Sequence, residues 1–421
     1  MPDNQNDEVV IKVRADGPYK VTGPVRLTDA AGQPLPAPDG PLALCRCGRS
    51  RTKPYCDRSH RTAAGSTAAI HAGLPAPADG EPYLPGPVFA APYHFTGDAE
   101  GRRESFYGRD TNPTWERWEA ALGELEGGQA VAFSSGMAAI SAVLFTALGP
   151  GDVLVAPADG IYTVRTLARE HLERIGVEVR LTPTDDGAVR DALPGATLLW
   201  LESPSNPMLD VVDIAALAGS AREGGTLVAV DNTLATPLRQ RPIDLGADYS
   251  VASAAKQLTG HSDLVLGHVA CADQRLASDI RAWRTTTGAI PGPFEAWLAH
   301  RSLATLGLRV ERQERTAEAL ASMLARRGDV AHVRWPGVGC VVSFDLETAE
   351  RARAFLAGCR LLAEATSFGG VHSSAERRAR WGGDAVSSGL IRLSAGCEDA
   401  VDLLGDVAQA LDAAGPEPGS Q

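Results

Sequence analysis

Lysine is nearly missing from most of this chain. From Arg61 to the end of the 421-residue sequence there is one, Lys256, and almost every other basic side chain is arginine. A guanidinium stays protonated and cannot condense with an aldehyde, so any imine chemistry in this region would fall to Lys256. A GC-rich coding bias would explain the scarcity of lysine but not the survival of that one amine. Long hydrophobic runs are also missing: no apolar stretch reaches the ~20 residues a bilayer-spanning helix needs. Met1 to Glu8 are polar and acidic, unlike a secretory leader, so a cytoplasmic location without a membrane partner is expected. Positive charge is not in excess either. The formal net charge is -12, which disfavours nucleic acid and anionic membranes as partners, since both reward a basic surface.

Cysteine is sparse and unevenly placed. Of seven, Cys271, Cys340, Cys359 and Cys397 are scattered and read as small buried hydrophobes. An odd count in a large chain expected to be cytoplasmic argues against a disulfide framework. The other three crowd into Cys45-Arg-Cys47-Gly-Arg-Ser50-Arg-Thr-Lys-Pro54-Tyr-Cys56-Asp57-Arg-Ser-His60. Three thiolates and an imidazole this close in sequence can converge on one metal centre, and soft sulfur ligands favour zinc or iron–sulfur clusters. The Cys-x-Cys spacing is tighter than a zinc finger's and a second histidine is missing, which lowers the zinc reading. The segment closely resembles the CDGSH-type iron–sulfur family in Ser50, Pro54, Asp57 and His60, with Arg58 where that family has glycine. The resemblance implies a [2Fe–2S] cluster with one iron on Cys45 and Cys47 and the other on Cys56 and His60. A structural staple and a redox or sensing role are both open at this point.

Composition is otherwise that of a globular chain, with 44% hydrophobic and 22% charged residues. Residues 8–33 alternate in strand fashion, and a Pro/Gly/Ala-rich stretch precedes the cysteines. From about 115 to 275, apolar runs such as Val153–Ala156, Leu198–Leu201 and Leu227–Val230 alternate with helical periodicity. That alternation predicts a mostly parallel sheet covered on both faces. Residues 296–413 begin with long helices and then carry the runs Val341–Phe344 and Leu390–Leu393, as expected of a smaller α+β domain. The division expected is 1–62 for the cysteine module, 63–115 for a linker and arm, 116–295 for a large domain and 296–421 for a small one.

The order of features around Lys256 is informative. Pyridoxal phosphate (PLP) needs an imine lysine, an anion at the ring nitrogen, a phosphate cradle and a stacking partner. Ser134-Ser135-Gly136-Met137 follows an apolar run and opens a helix, a site suited to phosphate. Asp231 ends the run Leu227–Val230, where open α/β sheets present ligand-binding groups. Ser253-Ala-Ala-Lys256 comes next. Taken singly, the first is a weak signal and the second is equally an N-cap; the order of the three carries the reading.

Beyond these, the stretches Thr67–Gly73, Tyr107-Gly-Arg109, Asn112-Pro113-Thr114, Glu202-Ser-Pro-Ser-Asn206-Pro207, Asp231-Asn-Thr233, Gly260-His-Ser-Asp263 and Arg392-Leu-Ser-Ala-Gly396 appear in order. From about Thr67 to Ala413 the chain resembles the cystathionine γ-synthase/γ-lyase family of fold-type I PLP enzymes. The resemblance implies a mostly parallel seven-stranded sheet and a homodimer or homotetramer. By the same resemblance, Lys256 is the imine lysine and proton shuttle and Asp231 pairs with the pyridine nitrogen. Ser135, Gly136, Met137, Ser253 and Thr233 serve the cofactor, and Asn206 serves its 3-oxygen. Tyr107 and Arg109 grip the phosphate of a neighbouring subunit, Ser367 and Arg392 hold the substrate carboxylate, and Tyr162 is taken as the stacking ring.

Departures from the family pattern bear on substrate. The two glycines usual around the stacking tyrosine are absent, and Ala255 stands for a phosphate-binding threonine. Thr366 stands for a glutamate that reads a distal amino group, which makes cystathionine a doubtful substrate. The expected chemistry is γ-replacement or γ-elimination on activated homoserine, methionine or an S-adenosylmethionine-like donor. A β- or γ-carbon–sulfur lyase of cysteine or cystathionine type is the alternative, and a catalytically reduced iron–sulfur sensor is a third.

Overall fold

The computed structural model describes residues 9–12, 19–22, 25–28, 33–35, 42–44, 55, 65–94 and 107–415. The chain forms two compact units, Met1–Ala68 and Ala69–Gln421. In the first, β1 (Val10–Lys12) pairs antiparallel with β2 (Tyr19–Thr22), and β2 pairs with β3 (Ala43–Leu44). Cys45, Cys47, Cys56 and His60 lie outside the described residues.

The second unit is built on a seven-stranded sheet. Its strands are β4 (Gln129–Phe133), β5 (Val153–Pro157), β6 (Glu178–Thr182), β7 (Leu198–Glu202), β8 (Leu227–Asp231), β9 (Tyr249–Ala252) and β10 (Gly267–Cys271). They lie side by side in the order β4-β10-β9-β8-β7-β5-β6. The β6–β5, β5–β7, β7–β8 and β8–β9 pairs are parallel, and β10 runs antiparallel to both its neighbours. Every residue of β5, β7 and β10 is buried, as a sheet with helices on both faces requires. One face packs on the helices Gly136–Ala147 and Gln274–Thr287, the other on Ile214–Glu223. Each fully buried Leu, Val or Ile there contributes about 1.5–3 kcal/mol over its exposed state.

Local chemistry sets where these helices begin. Asn112 caps Pro113–Glu126 by accepting from the Thr114 amide at 2.9 Å, with Pro113 in the first turn. Ser135 does the same for Gly136–Ala147, accepting from the Ala138 amide at 3.1 Å. The amphipathic stretch Tyr162–Ile175 forms a helix that widens at Ala168–Leu172 and tightens over its last turn. β9 is the short strand that precedes Ser253-Ala-Ala-Lys256; holding Tyr249 and Ser250, it makes no long apolar run of its own.

A five-stranded sheet follows, in the order β11 (Ala331–Arg334), β12 (Val341–Asp345), β15 (Leu390–Ser394), β14 (Ser374–Arg377), β13 (Ala363–Glu364). Its central strands β12 and β15 are wholly buried. They share a core with the helices Leu306–Ala325, Ala349–Gly358 and Ala400–Ala414. Among the described residues no helix is long and apolar enough to cross a membrane.

Candidate active site

The carboxyl ends of β4, β7, β8 and β9 come out on one edge of the large sheet, where the strand order reverses between β5 and β7. Open α/β sheets place ligands at such an edge. A cavity of about 210 Å³ lies there. Ser135, Gly136, Met137, Asn206, Asp231, Thr233, Ser253 and Lys256 all line it, so eight residues singled out in the sequence converge in space.

Backbone geometry shapes the first wall. Gly136 opens its helix so close to β9 that a Cβ would sit 2.8 Å from the Ser253 Cβ. Gly267 is as constrained, since its Cβ would lie 2.3 Å from the Ser135 carbonyl oxygen. The amides of a helix start are thereby left accessible to an anion. Thr233 knits the second wall. Its amide donates to Asp231 Oδ1 at 3.0 Å, and its hydroxyl accepts from the Ser253 amide at 2.8 Å.

Asp231 and Glu202 are cross-strand partners in the β7–β8 pair, and both face the cavity. Burial, and then the nearby Asp231 charge, push the Glu202 carboxyl well above the usual carboxylate range. Burial also raises Asp231, opposed by its hydrogen bonds from Thr233 and by the charges of His268 and Lys256. Two buried carboxyls side by side hold one negative charge more readily than two. That suits a single pyridinium, which would add its charge to those of His268 and Lys256 in holding Asp231 ionised.

Lys256 Nζ donates to Ser367 Oγ at 2.6 Å and lies 5.3 Å from the Phe368 ring centre. Burial, followed by the Arg392 charge, lowers its amine to about 8, against the pull of Asp231 and Glu376. Ser367 has φ +79°, a left-handed backbone that costs a non-glycine residue about 1–2 kcal/mol. Two bonds hold it there, one from Lys256 to its hydroxyl and one from Arg392 Nη2 to its carbonyl at 3.0 Å. Arg392 Nη1 reaches Asn206 Oδ1 at 2.8 Å, so the proposed carboxylate clamp adjoins the cavity.

Five expected residues are not in the cavity lining: Ser367 and Arg392, which adjoin it through Lys256 and Asn206, and Tyr162, Tyr107 and Arg109. Tyr162 is 40% exposed and its ring rests against Gly383; Ile161 takes the lining position instead, its amide donating to Glu202 Oε2 at 2.7 Å. Tyr107 is 42% exposed and stacks under Arg109, whose guanidinium lies 5.4 Å from the ring centre. Sequence reasoning also missed Glu202 and Phe368 as site residues. Glu202 ends its apolar run just as Asp231 does, and that parallel was a usable signal. Phe368 offered none.

Residues 66–412 match the family described as Cys/Met metabolism PLP-dependent enzyme. The chain belongs to that family. It is 54% identical over 377 residues to a Streptomyces coelicolor protein assigned as a cystathionine gamma-lyase, covering 85% of this chain and 95% of that one. It is 38% identical over 377 residues to the cystathionine gamma-synthase of Mycobacterium tuberculosis, covering 82% and 96%. The solved structure of a methionine gamma lyase from Micromonospora echinospora superposes with a TM-score of 0.76 at 36% identity, covering 83% and 99%. Residues 16–61 match the iron-binding zinc finger CDGSH type. The protein is therefore a fold-type I PLP enzyme of the transsulfuration family, preceded by a CDGSH-type iron–sulfur module. Its general chemistry is elimination or replacement on an amino-acid substrate.

Proposed function

We propose that this enzyme performs γ-elimination or γ-replacement on an amino acid whose γ-leaving group carries no distal ammonium: methionine, an activated homoserine or an S-adenosylmethionine-like donor. The observation that carries the reading is the state of Glu376. It is the carboxylate that reaches Thr366, accepting from Thr366 Oγ1 at 3.3 Å, and it is already taken by Arg392, Arg378 and Trp381. This carboxylate is buried, outside the cavity lining and already paired with two guanidiniums, so a substrate ammonium would have to displace them to reach it.

Bound at this site, PLP contributes an electron sink for negative charge developed at the substrate's α- and β-carbons. The chain's residues do the rest. Asp231 keeps the ring nitrogen protonated, and the amides of Gly136 and Met137 with the Ser253 hydroxyl receive the phosphate. Ser135 fixes that turn, Thr233 fixes both Asp231 and Ser253, and Asn206 serves the ring oxygen. Arg392 and Ser367 hold the substrate carboxylate. Lys256, with its amine free, would move protons between the substrate's α- and β-carbons; an amine lowered to about 8 accepts and releases them near neutral pH. The exposed pair Tyr107 and Arg109 completes the phosphate site of a neighbouring copy, so the working unit is a homodimer or homotetramer. Tyr162 serves as the ring partner only if its loop moves; Ile161 covers the cavity in the conformation described. Cys45, Cys47, Cys56 and His60 hold a [2Fe–2S] cluster. The free thiols Cys271 and Cys340 are buried, which suits a reducing cytoplasm.

The test is a product screen of the purified holoenzyme. With methionine or an acylated homoserine, and one water, γ-elimination releases 2-oxobutanoate, ammonium and the leaving group. Pyruvate and sulfide from cysteine, with no 2-oxobutanoate from any γ-donor, would replace this reading by the β-lyase alternative.

A further inference from the structure

Behind the carboxylate clamp lies a row of charges that never touches the cavity. Glu376 on β14 is the direct cross-strand partner of Arg392 on β15. Glu376 Oε1 accepts from Arg392 Nη2 at 2.5 Å and from Arg378 Nη1 at 2.8 Å, and its Oε2 accepts from Trp381 Nε1 at 2.7 Å. Arg378 continues to Asp384, and Asp384 Oδ1 takes Arg165 Nη2 at 3.3 Å. Arg165 also donates to the Gly160 carbonyl, beside Ile161 over the cavity. The side chains of Glu376, Arg378 and Asp384 are each 6% exposed or less.

We propose that Glu376 and Arg378 set the charge of the carboxylate site: Glu376 is the resident counter-ion of Arg392, and Arg378 shares it so that one positive charge remains for a monocarboxylate substrate. This rests on the reading of Arg392 as the residue that holds the substrate carboxylate. The row holds three guanidiniums, Arg392, Arg378 and Arg165, against two carboxylates, Glu376 and Asp384. One positive charge is thus unmatched, and one α-carboxylate neutralises it. Burial alone would raise Glu376, but Arg392, Trp381 and Arg378 together hold it below the usual carboxylate range, so it stays ionised at neutral pH. At low exposure such charges act over several ångströms with little screening.

Glu376 and Arg378 are positioning residues, and their charges act with opposite sign. In Arg378→Gln, Arg392 is the one guanidinium left on Glu376 and the unmatched positive charge disappears. In Glu376→Gln, the amide oxygen still accepts from Arg392 while the competing negative charge is gone. Holoenzyme is titrated with glycine, which has a carboxylate, and with methylamine, which has none, and binding is read from the cofactor's absorbance. Glycine should bind about tenfold more weakly to Arg378→Gln and about tenfold more tightly to Glu376→Gln. Methylamine should bind both variants as it binds the parent. Weaker glycine binding in both variants, or no change in either, would overturn the proposal and leave only a structural role. An Arg392→Lys variant run beside them separates the two levels. If it binds glycine as the parent does, the reading of Arg392 fails and the proposal fails with it.

Discussion

On the proposed function one amine carries the chemistry of this protein, and its surroundings decide when it can act. Lys256 is buried beside Arg392, and those two influences, in that order, bring its amine to about 8 from the ordinary 10.5. A lysine shifted this way is neutral in the folded protein above about 8 but still charged in the unfolded chain. The penalty for burying its charge is therefore full below about 8 and fades as pH rises toward 10.5. The neutral amine is the one that attacks an aldehyde, so capture of PLP by cofactor-free enzyme should accelerate through a midpoint near pH 8. Stopped-flow absorbance against pH checks this, and a midpoint near 10.5 would contradict the burial argument. Lys256→Ala should retain no covalent cofactor by mass spectrometry under reducing conditions. At this scale the sequence was informative because chemistry restricts residue type. Lys256 could be picked out since arginine cannot replace it, and Asp231 since a carboxylate ends a buried run. Phe368 and Ile161 were illegible because any apolar residue could pack there, and nothing in their type announces a cavity.

The elements matter through what their ends expose. The helix Gly136–Ala147 starts where β4 stops, and its first amide is open because residue 136 has no side chain. Gly136→Ala would place a Cβ 2.8 Å from Ser253 Cβ and 3.1 Å from its Oγ, inside the phosphate cradle. Alanine is the better helix former by up to ~1 kcal/mol, so helix stability is not what this change attacks. The expected outcome is at least about a tenfold loss of cofactor affinity with the far-ultraviolet circular dichroism of the parent. Equilibrium dialysis measures it, and parental affinity would mean the phosphate lies elsewhere. Strands with uninterrupted apolar runs, such as β5 and β7, were readable from the sequence. β14 was not, since Ser374-Ala-Glu-Arg377 is polar and earns its place only by pairing with β15. That pairing is what sets Glu376 against Arg392.

At the scale of the whole molecule, two units of different chemistry share a chain, Met1–Ala68 and Ala69–Gln421. The residues that line the cavity all belong to the second, while the cysteine motif falls within the first. Cys56→Ser should therefore abolish bound iron and leave the PLP content of the purified protein unchanged. Iron and cofactor are measured on the same sample, and a parallel loss of both would show that the units depend on each other. Replacing a thiolate ligand by a hydroxyl is enough for the first outcome, because iron–sulfur clusters depend on thiolate donors.

What the sequence alone determined is an inventory: one lysine able to form an imine, a carboxylate and a serine–glycine turn in order along the chain, and a compact group of thiols and an imidazole suited to a soft metal. These were legible because the reactions and the metal each accept few residue types at fixed spacing. Only the tertiary structure decided how those groups are charged and who else attends them. Glu202 next to Asp231, Glu376 across from Arg392, and Ile161 in the wall where Tyr162 was expected all depend on strand register and loop path. Those follow from long-range packing, which no local pattern of residues encodes.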